Sequence, residues 1–264
     1  MTAPLPPSRI RTAVDGALFQ ITFDHPPAHA FDQRASRDLD AALTRFRDDP
    51  ALRVCIVTAT GDRIFSAGWD LKAVAAGEGG EDFGEHGFMS LRRFDLNKPV
   101  IAAVNGLAVG GGFEFALMAT LVICVPEAEF GLPELQRGFI PEAGGLWRAH
   151  RRLPVNIASE LLLTGRRLSA EEGLRLGFVN RIVPRAALLT EARAMAAGIA
   201  AAAPLAVEAL LEVTRATEAL SDEDAFAMMR HGALPARARM RASEDFHEGP
   251  RAFAEKRAPR WQGR

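Results

Sequence analysis

The chain has no tyrosine, only two cysteines and a formal net charge of −1 over 264 residues, and each of these shortages removes a class of function. Cys55 and Cys124 both sit in short apolar runs. They read as buried, reduced thiols, which excludes a disulfide framework or a thiolate metal site. With 32 basic against 33 acidic residues, no overall field favours nucleic acid or an anionic membrane, so a polyanionic ligand would have to be held by local groups. Aromatic and basic residues do not interleave in the manner that stacks bases. The apolar stretches are interrupted by Asn105, Pro126, Pro204 or charges, which argues against a spanning helix. Met1–Asp15 lacks an apolar secretory segment. The expected setting is the cytoplasm, with no nucleic acid and no membrane as partner.

What is present is an ordinary globular mixture, 48% hydrophobic and 25% charged, in a length that fits one sizeable domain with at most a small appendage. β-rich runs recur at Leu18–Phe23, Val54–Thr58, Val100–Val104 and Leu121–Val125. Longer helical patterns lie between them. Arg34–Arg47 places Ala35, Leu39, Leu43 and Phe46 on one face, at i, i+4, i+8 and i+11. Strands alternating with helices predict an α/β fold with largely parallel sheets.

Beyond about Gly145 the strand signal fades. Ser169-Ala170-Glu171-Glu172 has the form of a capping box, and Gly177 is placed to end that helix. Val179–Val183 reads as one last strand. Ala186–Thr217 is helical with a break at Pro204, and Asp222–Arg241 and Ser243–Lys256 add more helix. The expected division is a β/α core over residues 1–190 and a helical segment over 191–264, with no linker between them. Gly77–Glu85 (GEGGEDFGE) has the composition of a mobile loop beside a site.

Three segments carry residues suited to chemistry. Phe65-Ser66-Ala67-Gly68-Trp69-Asp70-Leu71-Lys72 follows a strand, and its small residues let a ligand approach the backbone; an ordinary strand-to-helix turn would read the same. Val104-Asn105-Gly106-Leu107-Ala108-Val109-Gly110-Gly111-Gly112-Phe113-Glu114 runs from a strand through three glycines into a helix expected over Phe113–Thr120. Free N–H groups and the positive end of the helix dipole there suit an anion or a developing oxyanion. The G-x-G-x-x-G spacing, a P-loop lysine and a G-x-S-x-G elbow are all missing.

The third feature is a pair of carboxylates. Glu114 lies in the first turn of an apolar helix, and Glu134 follows Phe130-Gly131-Leu132-Pro133. A carboxyl in apolar surroundings is unfavourable unless paired or used, and burial raises its pKa toward a value suited to proton transfer. Two such acids facing one water can divide the base and acid roles. Taken singly, a helix-dipole role for Glu114 and a solvated loop position for Glu134 account for them equally well.

In order and spacing, these segments resemble the crotonase (enoyl-CoA hydratase/isomerase) superfamily, and the likeness runs over essentially the whole chain. It implies a crotonase-like ββα spiral core with a C-terminal helical trimerisation segment, assembled as a homotrimer or a dimer of trimers. In that family two backbone N–H groups form an oxyanion hole, and the matching positions are Trp69 and Gly111. The family's paired catalytic glutamates match Glu114 and Glu134. The stretches FSAGWDLKAVAAGE (65–78), NKPVIAAVNGLAVGGGFE (97–114), LTGRRLSAEE (163–172) and SEDFHEGPRAFAEKRAPRWQGR (243–264) are most similar to the branch that interconverts carnitinyl-CoA and crotonobetainyl-CoA. Trp69 is a discriminating residue there, and an aromatic face beside the reacting carbonyl suits a trimethylammonium group.

The implied reaction is reversible addition of water to an enoyl-CoA, with coenzyme A as part of the substrate and no separate cofactor or metal. The implied contacts with substrate are Ala28, Ala67, Gly68, Asp70, Leu71, Lys72, Gly110, Pro133 and Glu142, with Phe253 and Lys256 reaching a neighbouring subunit's CoA. Pro27 stands where many relatives carry a phosphate-binding lysine, which leaves Lys72 as the basic candidate. His25 and His29 are placed to line the entrance, although loop histidines are usually solvated. The basic runs Trp147–Arg152 and Arg237–Arg241 fit solvated or intersubunit helix faces. The acyl chain would be set by walls such as Gly77–Phe94. A general short-chain hydratase, an isomerase using Glu134 or Glu142, and a non-catalytic acyl-CoA or RNA-binding relative remain alternatives.

Overall fold

The computed structural model describes residues 8–77, 82–92 and 96–264. Ten strands are found among them: β1 (Ile10–Asp15), β2 (Leu18–Phe23), β3 (Val54–Ala59), β4 (Ile64–Ser66), β5 (Val100–Val104), β6 (Leu107–Val109), β7 (Leu121–Cys124), β8 (Glu129–Gly131), β9 (Arg167–Ser169) and β10 (Arg181–Ile182). The α-helices are α1 (Gln33–Asp48), α2 (Leu71–Ala75), α3 (Gly111–Met118), α4 (Gly145–Arg152), α5 (Val155–Thr164), α6 (Ala170–Arg175), α7 (Leu188–Ala200), α8 (Pro204–Thr217), α9 (Asp222–His231), α10 (Pro235–Ala242) and α11 (Glu244–Ala254).

The larger sheet has the order β1-β2-β3-β5-β7-β10. Every residue of β3 and β5 is buried, as expected for central parallel strands covered on both faces. Their register is fixed by pairs such as Leu18↔Val54, Cys55↔Val100 and Ile101↔Leu121. Only the edge strand β1 runs antiparallel, against β2. Helix α1 is capped by the Asp32 side chain, which accepts from the Ala35 N–H. The helix buries Ala35, Leu39, Leu43 and Phe46, the face that its periodicity predicts.

The smaller sheet positions the site. Its order is β4-β6-β8-β9, and β4, β6 and β8 run parallel. Parallel neighbours end on the same edge, so the residues following Ser66, Val109 and Gly131 are brought together. These are the three chemistry-bearing segments. Each of the three strands is three residues long, too short for the sequence pattern to register.

Several expectations are corrected. Helix α3 begins at Gly111 rather than Phe113, so Gly111 and Gly112 form its first turn. Strand β9, antiparallel to β8, lies in the region read as strand-poor, and Val179–Val183 contributes only the two residues of β10. Ser169 caps α6 by accepting from the Glu172 N–H, but the Glu172 carboxylate bonds Arg166. Asp222–Arg241 is two helices, because the chain leaves the helix at Gly232 and Pro235 starts α10.

The basic run of α4 is not a solvated face throughout. Arg152 donates to the carbonyls of Leu117 and Ala119, closing the C-terminus of α3, and Arg148 donates to the carbonyls of Ala143 and Leu91. Helix α7 spans residue 190 and buries Leu188, Ala192 and Ala196 in the core cluster. Beyond it, Leu210, Phe226 and Phe253 are 64%, 66% and 87% exposed. No single helix among the described residues is long and apolar enough to cross a membrane. Of the Gly77–Glu85 loop, residues 78–81 lie outside the described residues, as do 93 and 94 of the expected acyl-chain wall.

Candidate active site

At the end of β4 the backbone turns at Gly68, whose φ of +77° favours glycine. Buried Ser66 fixes this turn: its hydroxyl donates to the His29 carbonyl and accepts from the Gly68 N–H. The Phe31 N–H donates to the Gly68 carbonyl, and the Asp70 N–H donates to the Phe31 carbonyl. In extended backbone, successive N–H groups alternate in direction, so the Trp69 N–H faces away from Phe31.

On that other side lies Gly111. A Cβ added to Gly68 would stand 2.5 Å from the Gly111 nitrogen, so only glycine allows the two segments this approach. Gly110, with φ +56°, swings the chain from β6 into α3. Gly111 therefore presents an N–H of the first helical turn, which has no intrahelical acceptor. Among the described residues, neither the Trp69 nor the Gly111 N–H has a backbone acceptor. Two N–H groups without backbone acceptors on adjoining segments, one backed by a helix dipole, have the chemistry that suits a developing oxyanion.

Glu114 lies one turn along α3 and is 3% exposed. The Gly145 N–H donates to its Oε1 at 2.8 Å. Burial pushes its pKa up to about 7; the repulsion of Glu134 adds to this, while N–H groups of Gly145 and Ala143 and the charge of Arg148 oppose it. Glu134 opens a 3-10 turn, Glu134–Arg137, after β8. Its Oε1 would stand 3.3 Å from a Cβ on Gly110, and its buried Oε2 has no hydrogen-bond partner among the described residues. Burial raises this carboxyl to about 7 as well. Carboxyls raised toward neutrality can both give and take a proton near neutral pH, so the pair is suited to divide the acid and base roles. The solvated-loop reading of Glu134 does not describe this environment.

The other expected contacts divide into groups. Gly68 and Gly110 form the site's turns, and Pro133 precedes Glu134. Ala28 and Ala67 are joined by their backbones, with the Ala67 N–H donating to the Ala28 carbonyl. Asp70 caps α2, accepting from the N–H groups of Lys72 and Ala73, and Leu71 and Lys72 are exposed on its first turn. Glu142 is exposed on the loop before α4. Phe253 is exposed near the end of α11, with Lys256 just beyond it. His29 is not a solvated loop residue: it is buried, its Nδ1 accepts from the His25 N–H, and burial lowers its pKa.

Other residues of the site were not singled out by the sequence, although Phe83, Phe88 and Met89 fall within the expected acyl-chain wall Gly77–Phe94. Gly145 and Arg148 act on Glu114 across a loop. Phe88 and Met89 cover Gly111, with the Phe88 Cε1 2.5 Å from an added Cβ there. Their segment is tied to α1: the Asp40 Oδ1 bonds both the Ser90 hydroxyl, at 2.7 Å, and the His86 Nδ1, at 2.8 Å. The rings of Phe83, Phe88 and Phe139 surround Trp69.

Known proteins repeat this arrangement of sequence and fold. Residues 13–264 match the enoyl-CoA hydratase/isomerase family. A carnitinyl-CoA dehydratase of Proteus mirabilis is 52% identical over 251 residues, covering 94% of this chain and 96% of its own length. Among solved structures, an enoyl-CoA hydratase from Mycobacterium tuberculosis superposes with a TM-score of 0.89 at 37% identity, over 98% of this chain and 100% of the other. A carnitinyl-CoA hydratase from Mycobacterium avium gives a TM-score of 0.76 at 37% identity over the same shares. With a match across nearly its full length, the chain belongs to the enoyl-CoA hydratase/isomerase family.

Proposed function

We propose that this protein is a hydro-lyase that reversibly hydrates an enoyl-CoA thioester, and that its substrate pair is carnitinyl-CoA and crotonobetainyl-CoA. The observation that carries the reaction is a pair of glutamates that burial raises to about 7. Glu114 is buried on the first turn of α3 and Glu134 is half-buried beside Gly110, at the same end of α3 as the Gly111 N–H. The 52% identity to a carnitinyl-CoA dehydratase supports the choice of acyl group.

In this reading the thioester oxygen accepts from the Trp69 and Gly111 N–H groups. Glu114, whose charged form is stabilised by backbone N–H donors, takes a proton from water as its oxygen bonds Cβ. The π electrons of the double bond move toward the thioester oxygen, where the two N–H groups stabilise the charge. Removing one such donor from an oxyanion hole typically lowers the rate about 10²–10³-fold. Glu134, whose Oε2 receives no hydrogen bond among the described residues although its own N–H and the charge of Arg137 partly offset its burial, delivers its proton to Cα. Dehydration retraces these steps. The two carboxyls and two N–H groups account for every proton and for the developing charge, so the reading requires no separate cofactor.

Ala28, Ala67, Gly68, Asp70, Leu71, Lys72, Gly110, Pro133 and Glu142 are proposed to border the bound thioester. Phe253 and Lys256 are proposed to border it from a neighbouring subunit in a trimer or dimer of trimers.

The test is loss of enoyl-thioester absorbance with crotonobetainyl-CoA and crotonyl-CoA side by side. Wild-type protein is expected to prefer the betaine, and Glu114→Gln and Glu134→Gln are each expected to lower turnover by orders of magnitude while the fold survives. Near-wild-type turnover in both variants would overturn the mechanism. Preference for crotonyl-CoA would leave a general hydratase, and deuterium uptake without net hydration would point to an isomerase.

A further inference from the structure

Four aromatic rings gather where the acyl chain would leave the oxyanion hole. The ring of Trp69 lies 5.8 Å from that of Phe139, 6.3 Å from Phe83 and 6.5 Å from Phe88, and Phe83 and Phe88 are 5.4 Å apart. The planes cross at 61° to 76°, so the rings stand as walls to one another rather than as a flat stack. The cluster is only partly covered: Trp69, Phe83 and Phe88 are half-buried and Phe139 is 41% exposed. By contrast, Phe19, Phe23, Phe31, Phe46 and Phe65 are fully buried. Two of the four rings are fixed at the oxyanion donors themselves, since Trp69 carries one N–H and the Phe88 ring covers Gly111.

A second observation concerns charge. Elsewhere in the chain, aromatic faces take up the protein's own cations: Arg45 lies over Phe19, Lys98 over Phe46, Arg148 over Trp147, Arg152 over Phe178 and Arg241 over Phe246. Among the described residues, no arginine or lysine lies over any of the four rings at the site. Some faces meet the edge of a neighbouring ring, and the uncovered part of the cluster carries no side-chain cation of its own.

Bond lengths limit where such a ligand group can be. A substituent on Cγ of the acyl chain is four bonds from the thioester carbon, about 5 Å when extended. With the carbonyl held at Trp69 and Gly111, that substituent falls among the side chains that border these two residues.

We propose that Trp69, Phe83, Phe88 and Phe139 form a cation–π subsite for a quaternary ammonium group on Cγ of the acyl chain. The inference rests on the enoyl-CoA reading for the placement of the thioester, and it adds the residues that recognise the charge. A trimethylammonium group has no N–H to satisfy, so the rings can replace its water without any hydrogen-bonding partner. Each ring face adds an attraction that an uncharged group of the same shape does not receive.

The test separates binding from turnover. The probes are two saturated thioesters, γ-trimethylammoniobutanoyl-CoA and its isostere with carbon in place of nitrogen, titrated by calorimetry. Wild-type protein is expected to bind the cation at least about tenfold more tightly. Phe139→Leu and Phe83→Leu are each expected to reduce that ratio about threefold, whereas Phe139→Trp retains it. Equal affinity for the two thioesters in the wild type, or an unchanged ratio in both leucine variants, would overturn the subsite. Failure to hydrate any enoyl-CoA would instead overturn the proposed reaction, and the binding ratio would still decide the subsite.

Discussion

The β/α core and the C-terminal helices both depart from the usual inside–outside arrangement. Each displays apolar side chains, such as Leu163 at 72% and Phe253 at 87%, and each buries a carboxyl, Glu114 in the core and Asp245 in α11. What differs is the use proposed for each departure. In the core, carboxyls are buried: Glu114 is 3% exposed, in a helix whose neighbouring residues are almost all apolar. In the C-terminal helices, apolar side chains are displayed: Phe226 and Phe253 are 66% and 87% exposed. A buried acid is unfavourable for folding and is retained where its raised pKa is useful. An exposed ring is unfavourable for solubility, and in the proposed trimer these two are candidates for cover by a neighbouring subunit. The contrast sets the proposed place of chemistry against the proposed place of assembly, and three changes would break or sharpen it.

The largest effect is expected from Gly68→Ala. The new methyl meets the Gly111 nitrogen at 2.5 Å on a residue with φ +77°, so the two N–H donors must separate. Hydration is expected to fall at least about 10²-fold, the typical effect of losing one oxyanion donor, with a stability loss of about 1–2 kcal/mol from the left-handed backbone. Steady-state kinetics and thermal melts check both.

Glu114→Gln tests the burial of charge. Folding lifts the Glu114 pKa from the ordinary 4.5 to about 7, so between these values the folded chain holds a proton that the unfolded chain has released. The wild type therefore loses stability as pH rises from about 4.5 through about 7. Glutamine carries no charge to bury and still accepts from the Gly145 N–H. The variant is expected to match the wild type near pH 4.5 and to exceed it by up to about 3 kcal/mol above pH 7. Denaturant unfolding at the two pH values is the check, and a difference that does not change with pH would contradict the assignment. The same pair of acids predicts a bell-shaped pH profile of kcat/KM with its maximum near pH 7.

Phe253→Ser addresses the proposed assembly surface. Burying one such ring in an interface stabilises it by about 1.5–3 kcal/mol, so dilution is expected to dissociate the variant at higher concentration than the wild type on a sizing column. Identical elution across the dilution series would place the interface elsewhere.

The sequence alone determined the long elements and the chemical inventory. The periodicity of Arg34–Arg47 and the apolar runs of β2, β3, β5 and β7 follow from burial on one face or on two, which side-chain order records directly. The three segments and the glutamate pair also stood out locally, as glycine runs and acids among apolar residues do. Read singly they were ambiguous, and Trp69 and Gly111 were singled out only by the resemblance to the crotonase family. Only the tertiary structure decided that these residues meet. That depends on β4, β6 and β8, strands held by pairing with one another and too short to carry a pattern of their own. The structure likewise turned Arg148 and Arg152 inward to cap backbone carbonyls, and gathered Phe83, Phe88 and Phe139 around Trp69. Contacts between residues so far apart in the chain depend on where the backbone brings them, and no local order of side chains encodes that.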